Sequence, residues 1–275
     1  MRAGDWWRGH GRRRQTFFAV IAILVLALVG FVGVRLSGGN SDPTTGTPSQ
    51  AQQGPVLLVP GYGGNAGSLT GLAARLRAAG RTATVVALPG DGTGDLLAQV
   101  AALNSAVNSA LAGGAPSVDV IGYSAGGLVT RLWVAQDAGQ ARVRRVVTLG
   151  SPLHGTQVAA AGSALVPGVC PLACQQLVPS SPLLRRVDAQ PLPAGLPWLS
   201  LWTDDDQTVI PPDSARLAGA VNVPLQQICP ALRVSHSELP SAPLVTGIVL
   251  TALNGPTLAA PTPSQCSALT ASGRR

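Results

Sequence analysis

The segment Gly122-Tyr123-Ser124-Ala125-Gly126-Gly127 constrains this chain more than any other. It follows the run Ser117-Val118-Asp119-Val120-Ile121, which reads as a buried strand. It precedes Leu128-Val129-Thr130-Arg131-Leu132-Trp133-Val134, which reads as a helix. A strand, a G-x-S-x-G pentapeptide and a helix in that order make a nucleophile elbow. The turn is tight enough to strain the serine backbone, and Gly122 and Gly126 leave room where side chains would clash. Ser124 Oγ is thereby presented at the carboxyl edge of a sheet, with the amino terminus of the next helix below it. The pentapeptide alone also fits a Gly-rich structural turn; its place between strand and helix favours the catalytic reading.

Strand and helix patterns alternate around the elbow. Pro55-Val56-Leu57-Leu58-Val59 is a continuous apolar run suited to a buried parallel strand, and 82–88, 143–149 and 198–203 read as further strands. Between them, 65–79 and 95–111 read as helices. Leu96, Val100, Leu103, Val107 and Leu111 recur at helical spacing and are expected to face the sheet. Such alternation gives a mostly parallel sheet of about six strands covered by helices on both faces. About 200 residues suffice for one core and one domain.

The Gly-rich loop Pro60-Gly61-Tyr62-Gly63-Gly64-Asn65 directly follows the first strand. Acyl transfer needs two donors aimed at the oxyanion that forms on the scissile carbonyl. The backbone N–H groups of Tyr62 and Ala125 are the expected pair. A serine hydroxyl also needs a base, itself oriented by a carboxylate. Only three histidines exist. His10 lies in a basic peptide ahead of an apolar segment and cannot reach the elbow. His154 lies in Gly150-Ser151-Pro152-Leu153-His154-Gly155-Thr156, and His236 in Arg233-Val234-Ser235-His236-Ser237. In folds built on this elbow the order is serine, acid, histidine, which selects His236 as the base and leaves His154 a supporting residue near the pocket. The acid is one of Asp204, Asp205 and Asp206, which leave the end of the strand at 198–203.

Together these motifs, with Asp206-Gln207-Thr208-Val209-Ile210-Pro211, resemble the class 2 triacylglycerol lipase/esterase family of α/β hydrolases, and among them the actinobacterial enzymes. The resemblance covers roughly residues 54–255. It implies an α/β hydrolase fold and hydrolysis of acyl esters, with a lipid or other acyl ester as substrate and no cofactor or metal. The same machinery also serves acyltransferases and thioesterases, and the remaining alternative is a non-catalytic anchored binding module on the same fold. It implies that Asp206 is the acid, since D-x-x-V before proline is the family's form of this loop. It also implies that the Pro- and Leu-rich stretch 157–197 is a cap over the site. Leu165, Val166, Leu172, Leu177, Val178, Leu183 and Leu184 are then candidates to line an acyl pocket or, more simply, to pack the cap onto the domain. Pro60 stands where many relatives carry histidine, and the stretch after Thr156 is longer than in the smallest, lidless relatives.

Residues 17–36 form an almost unbroken apolar stretch, about the ~20 residues that span a bilayer. Five arginines precede it and one, Arg35, stands at its far end, which places the N-terminus inside and the rest outside. A single-pass signal-anchor is expected, with a basic cytoplasmic peptide (1–16), a flexible linker (37–53), the hydrolase domain (54–255) and a C-terminal tail (256–275). A cleaved export signal, giving a secreted enzyme, is the rival, but the run is longer than an ordinary signal core and no A-x-A site follows. Six of the nineteen arginines and one of the twelve acids fall in residues 1–36, a net +5, leaving +2 over residues 37–275. The basicity is therefore a topology signal, and no nucleic-acid partner is expected. Four cysteines on the outer side argue for two disulfides. Of the three pairings, Cys170–Cys174 with Cys229–Cys266 is expected, stapling the cap and tying the tail to a late strand.

Overall fold

The computed structural model describes residues 47–136, 139–165 and 168–274. The apolar segment 17–36, most of the linker, His10 and Val166 lie outside the described residues. Among the described residues no helix is long and apolar enough to cross a membrane.

Six strands form one sheet: β1 (Val56–Val59), β2 (Ala83–Val85), β3 (Val118–Tyr123), β4 (Val143–Leu149), β5 (Trp198–Trp202) and β6 (Val221–Pro224). Their order is β2-β1-β3-β4-β5-β6, and every pairing is parallel. The strand order reverses at β1, so the loops after β1 and β3 diverge from adjacent carboxyl ends and leave a crevice there. β3 and β4 are buried along their whole length, as strands covered on both faces must be.

The pleat divides β1 between two cores. Val56 and Leu58 join the cluster beneath helices α1 (Gly67–Ala78) and α8 (Pro243–Asn254), together with Leu72, Val245 and Ile248. Leu57 and Val59 join the opposite cluster, which holds Val100, Leu103, Leu132, Trp133 and Trp198. That side is covered by α2 (Leu96–Ala112) and α3 (Ala125–Gln136). Asp95 caps α2, its carboxylate accepting from the Leu97 N–H at 3.0 Å.

Residues 157–197 contain three helices, α4 (Gln157–Leu165), α5 (Leu172–Gln176) and α6 (Pro182–Asp188). Leu177, Leu183 and Leu184 are buried in the second core, so they pack this insert onto the domain. Leu165 and Leu172 stay exposed and Val178 is half-buried. Gln176 docks α5 onto the start of α2, donating to Asp95 Oδ1 at 2.7 Å and accepting from the Leu96 N–H at 2.8 Å. A disulfide joins Cys174, within α5, to Cys170 just before it.

The short edge strand β6 carries no sequence signal strong enough to read in advance. The tail contains a helix, α9 (Cys266–Arg274), whose Leu269 joins the first core beside α8. The Cys229–Cys266 disulfide fastens it just beyond α7 (Leu225–Ile228). The linker reading 37–53 also gives way at Gln50, which is bound to the domain. Its amide donates to the Arg144 carbonyl at 3.0 Å and accepts from Arg145 Nε at 2.9 Å.

Charge is buried at the edge of the sheet opposite the crevice. Asp119 Oδ2 accepts from Arg81 and Arg144, each at 2.5 Å, with all three residues buried. Arg144 also donates to the Leu253 carbonyl at 2.7 Å, and Arg145 donates to the Ala252 carbonyl. The last carbonyls of α8, which have no partner within the helix, are thus satisfied by cations placed at its negative end.

Candidate active site

The elbow joins β3 to α3. Ser124 has φ +52°, a left-handed conformation that costs a non-glycine residue on the order of 1–3 kcal/mol. The surroundings hold it there. The Ser124 N–H donates to the Leu149 carbonyl at 2.9 Å, and the Gly127 N–H donates to the Ser124 carbonyl at 3.0 Å. A side chain on Gly126 would begin 2.2 Å from the Val59 carbonyl oxygen, and one on Gly122 would begin 2.5 Å from Gly127 Cα. Both positions therefore admit only glycine, because β1 and α3 approach the turn too closely.

His236 lies in a short 3-10 turn (His236–Glu238) on a loop after β6, and Asp206 on the loop after β5. The structure brings the three residues together. His236 Nε2 is 3.0 Å from Ser124 Oγ, and His236 Nδ1 is 2.7 Å from Asp206 Oδ2. Asp206 Oδ1 accepts from the N–H groups of Thr208 and Val209, both at 2.8 Å. With the carboxylate accepting from Nδ1–H, the imidazole leaves the Nε2 lone pair facing the serine hydroxyl. Ser124, Asp206 and His236 are all buried, which strengthens each of these bonds. Asp204 is exposed, and Asp205 turns aside to accept from Gln226 Nε2 at 3.2 Å.

The loop after β1 crosses the nucleophile: a side chain on Gly61 would begin 2.8 Å from Ser124 Cβ. The next N–H belongs to Tyr62, and across the serine stands Ala125, whose N–H opens α3 and has no acceptor within the helix. The Gly63 N–H donates to the Gly92 carbonyl at 3.4 Å, and the Thr93 carbonyl accepts from the Ala173 N–H at 3.1 Å. The residue 90–93 loop thereby connects the Gly-rich loop to the insert. Burial, then the negative charge of Asp91, raises the Tyr62 phenol above its ordinary value.

The segment 150–156 supports this arrangement. Gly150 passes behind the pair, where a side chain would begin 3.1 Å from His236 Nδ1 and 3.2 Å from Asp206 Oδ2. Thr156 Oγ1 donates to the Thr208 carbonyl at 2.9 Å and accepts from the Ile210 N–H at 3.0 Å, which fixes the loop that carries the acid. His154 belongs to the seam of the insert: its Nδ1 is 2.8 Å from Asp188 Oδ1 and its Nε2 is 3.0 Å from the Arg216 carbonyl. Arg131 donates to the same Asp188 oxygen at 2.7 Å. Thr156 and Tyr123 (below) are contributors that motif reading passed over, since neither residue type marks its bonds in advance.

A parallel sheet covered on both faces, with an elbow serine after β3 and histidine and aspartate on later loops, defines an α/β hydrolase. The palmitoyl protein thioesterase family model matches residues 55–186. Aspergillus fumigatus lipase B is similar in structure, with a TM-score of 0.64 at 22% identity over 81% of this chain and 56% of that one. Bacillus licheniformis lipase BlEst2 in its mature form has a TM-score of 0.58 at 17% identity, over 75% of this chain and 94% of that one. The chain thus spans little more than half the length of the Aspergillus enzyme. At these identities the likeness is one of fold. No curated protein matches the chain in sequence.

Proposed function

We propose that the protein is a serine ester hydrolase of the lipase/carboxylesterase type, close to the class 2 triacylglycerol lipases. The observation that carries this reading is the Ser124–His236–Asp206 chain at 3.0 and 2.7 Å on a strained elbow. Ser124 Oγ attacks the ester carbonyl while His236 Nε2 takes its proton. Asp206 holds the ring in the productive tautomer and stabilises the imidazolium that forms. The oxyanion is received by the N–H groups of Tyr62 and Ala125. His236 returns the proton to the departing alcohol, and water then releases the acyl group by the same route.

An apolar acyl group suits the surroundings. Tyr62, Val158, Leu165, Val169, Leu172 and Ile210 are the exposed large apolar side chains among the described residues. They belong to the Gly-rich loop, the insert and the loop that carries the acid. The thioesterase family match favours a second reading, in which the acyl group leaves a thiol. Parallel assays on p-nitrophenyl esters of graded chain length and on an acyl thioester decide between them. Ester turnover that a fluorophosphonate eliminates is the expected result. A kcat/KM for the thioester well above that of any ester would replace the first reading with the second.

Residues 17–36 are proposed as a membrane anchor that leaves this domain on the outer side, supported by their apolar length and the arginines before them. Full-length protein is then expected in the membrane fraction with its first residues intact. A mature N-terminus between Leu36 and Gln53, with activity in the medium, would make the segment a cleaved export signal.

A further inference from the structure

Tyr123 ends β3 and immediately precedes Ser124, yet its side chain reaches residue 236. Its hydroxyl donates to the backbone carbonyl of His236 at 3.2 Å. Its ring centroid lies 5.3 Å from that of the imidazole, with 31° between the planes. Burial, then the charge of Asp206, pushes the phenol up to about 12, so it remains a protonated donor at any ordinary working pH.

The loop that carries His236 needs such a tie. Arg233, Ser235, Ser237 and Glu238 are exposed around it. Several of its bonds are local: Glu238 accepts from the Ser235 N–H at 2.8 Å, and the Leu239 N–H donates to the His236 carbonyl at 3.2 Å. Local bonds shape a turn without fixing its place over the sheet. Placement comes from the buried Val234 and Leu239 side chains, from Asp206 Oδ2 at 2.7 Å from His236 Nδ1, from Thr203 Oγ1 donating to the Val234 carbonyl at 2.8 Å, and from the Tyr123 hydroxyl. Asp206 holds the imidazole, whereas the tyrosine's bond is the one made from a strand end to the histidine's own backbone.

We infer that Tyr123 is a positioning residue which fixes His236 to the strand that presents Ser124, through one backbone hydrogen bond and one ring contact. The inference rests on the triad reading above and deepens it. One strand end then sets both partners of the 3.0 Å Ser124–His236 contact, so a shift of the outer loop cannot open that contact alone. The tilted ring contact adds packing that limits how far the imidazole can rock away from the serine.

The test compares Tyr123→Phe, which keeps the ring and loses the hydroxyl, with Tyr123→Leu, which loses both. The primary readout is the rate at which a fluorophosphonate labels Ser124, because it requires serine activation and no particular substrate. Steady-state kinetics on a p-nitrophenyl ester and thermal unfolding accompany it. Misplacing a reacting group by about 1 Å can cost about 10²-fold. Tyr123→Phe is therefore expected to label about 10-fold slower and Tyr123→Leu about 10²-fold slower, with KM close to wild type. A merely structural tyrosine would lower Tm and leave the labelling rate of the folded protein unchanged, and that result for Tyr123→Phe would overturn the inference. If Tyr123→Leu does not fold, Tyr123→Phe decides alone. Wild-type protein that labels readily but is idle on every ester would overturn the proposed reaction and leave the comparison of labelling rates intact. A wild type that does not label would overturn both.

Discussion

Replacing Ser124 by alanine is expected to abolish ester hydrolysis, lowering kcat by about 10³-fold or more. The fold should survive, because alanine has no greater difficulty than serine in the left-handed conformation at this position, where φ is +52°. The hydroxyl is lost, and with it the group that His236 Nε2 faces at 3.0 Å. His236→Ala is expected to cause a similar loss, and the double variant little more, since a triad acts as a unit and its losses do not add. Ser151→Ala provides the contrast. Ser151 is fully buried beside the elbow, but its hydroxyl makes only a 3.4 Å bond to the Gly122 carbonyl and does not bond to His236. Turnover should therefore persist there. Purified Ser124→Ala that still hydrolyses a p-nitrophenyl ester would end the assignment of the nucleophile.

The parts of the molecule that could be read from sequence are those whose physics is local or dictated by scarcity. β1 is a continuous apolar run, and β3 and β4 are short segments rich in valine, isoleucine and leucine, as strands buried on both faces tend to be. The elbow must be a short fixed pattern because β1 and α3 leave no space for side chains at Gly122 and Gly126. With three histidines in the chain, order along the sequence was enough to single out His236. The parts that stayed hidden depend on partners distant in sequence. Asp119 and Arg144 sit within segments that read simply as strands; their pairing at 2.5 Å needs β3 and β4 side by side. Gln50 looked like linker because its hold on Arg145 spans 95 residues. α9 has little apolar content and gains its place through Leu269 and the Cys229–Cys266 bond. Tyr123 reads as an arbitrary residue within the pentapeptide until a residue 113 positions later comes to lie against it.

Asp206→Asn is expected to lower kcat by about 10⁴-fold with little change in fold, and the reason is a proton in the wrong place. In the wild type both carboxylate oxygens accept: Oδ1 from the N–H groups of Thr208 and Val209, Oδ2 from His236 Nδ1. The two backbone donors will claim the single oxygen of an asparagine, which turns its NH₂ toward the imidazole. Nδ1 must then be the acceptor, so the ring proton moves to Nε2 and points at Ser124 Oγ. In that tautomer His236 cannot take the serine proton, although every heavy atom stays within a few tenths of an ångström. The neighbouring aspartates discriminate between this account and a general effect of acidic charge near the site. Asp204→Asn should match wild type because its side chain is exposed. Asp205→Asn should nearly do so, since the Gln226 bond it makes at 3.2 Å lies away from His236. Measuring kcat and urea unfolding for all three variants separates loss of chemistry from loss of fold. A collapse of kcat in Asp205→Asn with Asp206→Asn intact would move the acid to another residue and break the hydrogen-bond chain described here.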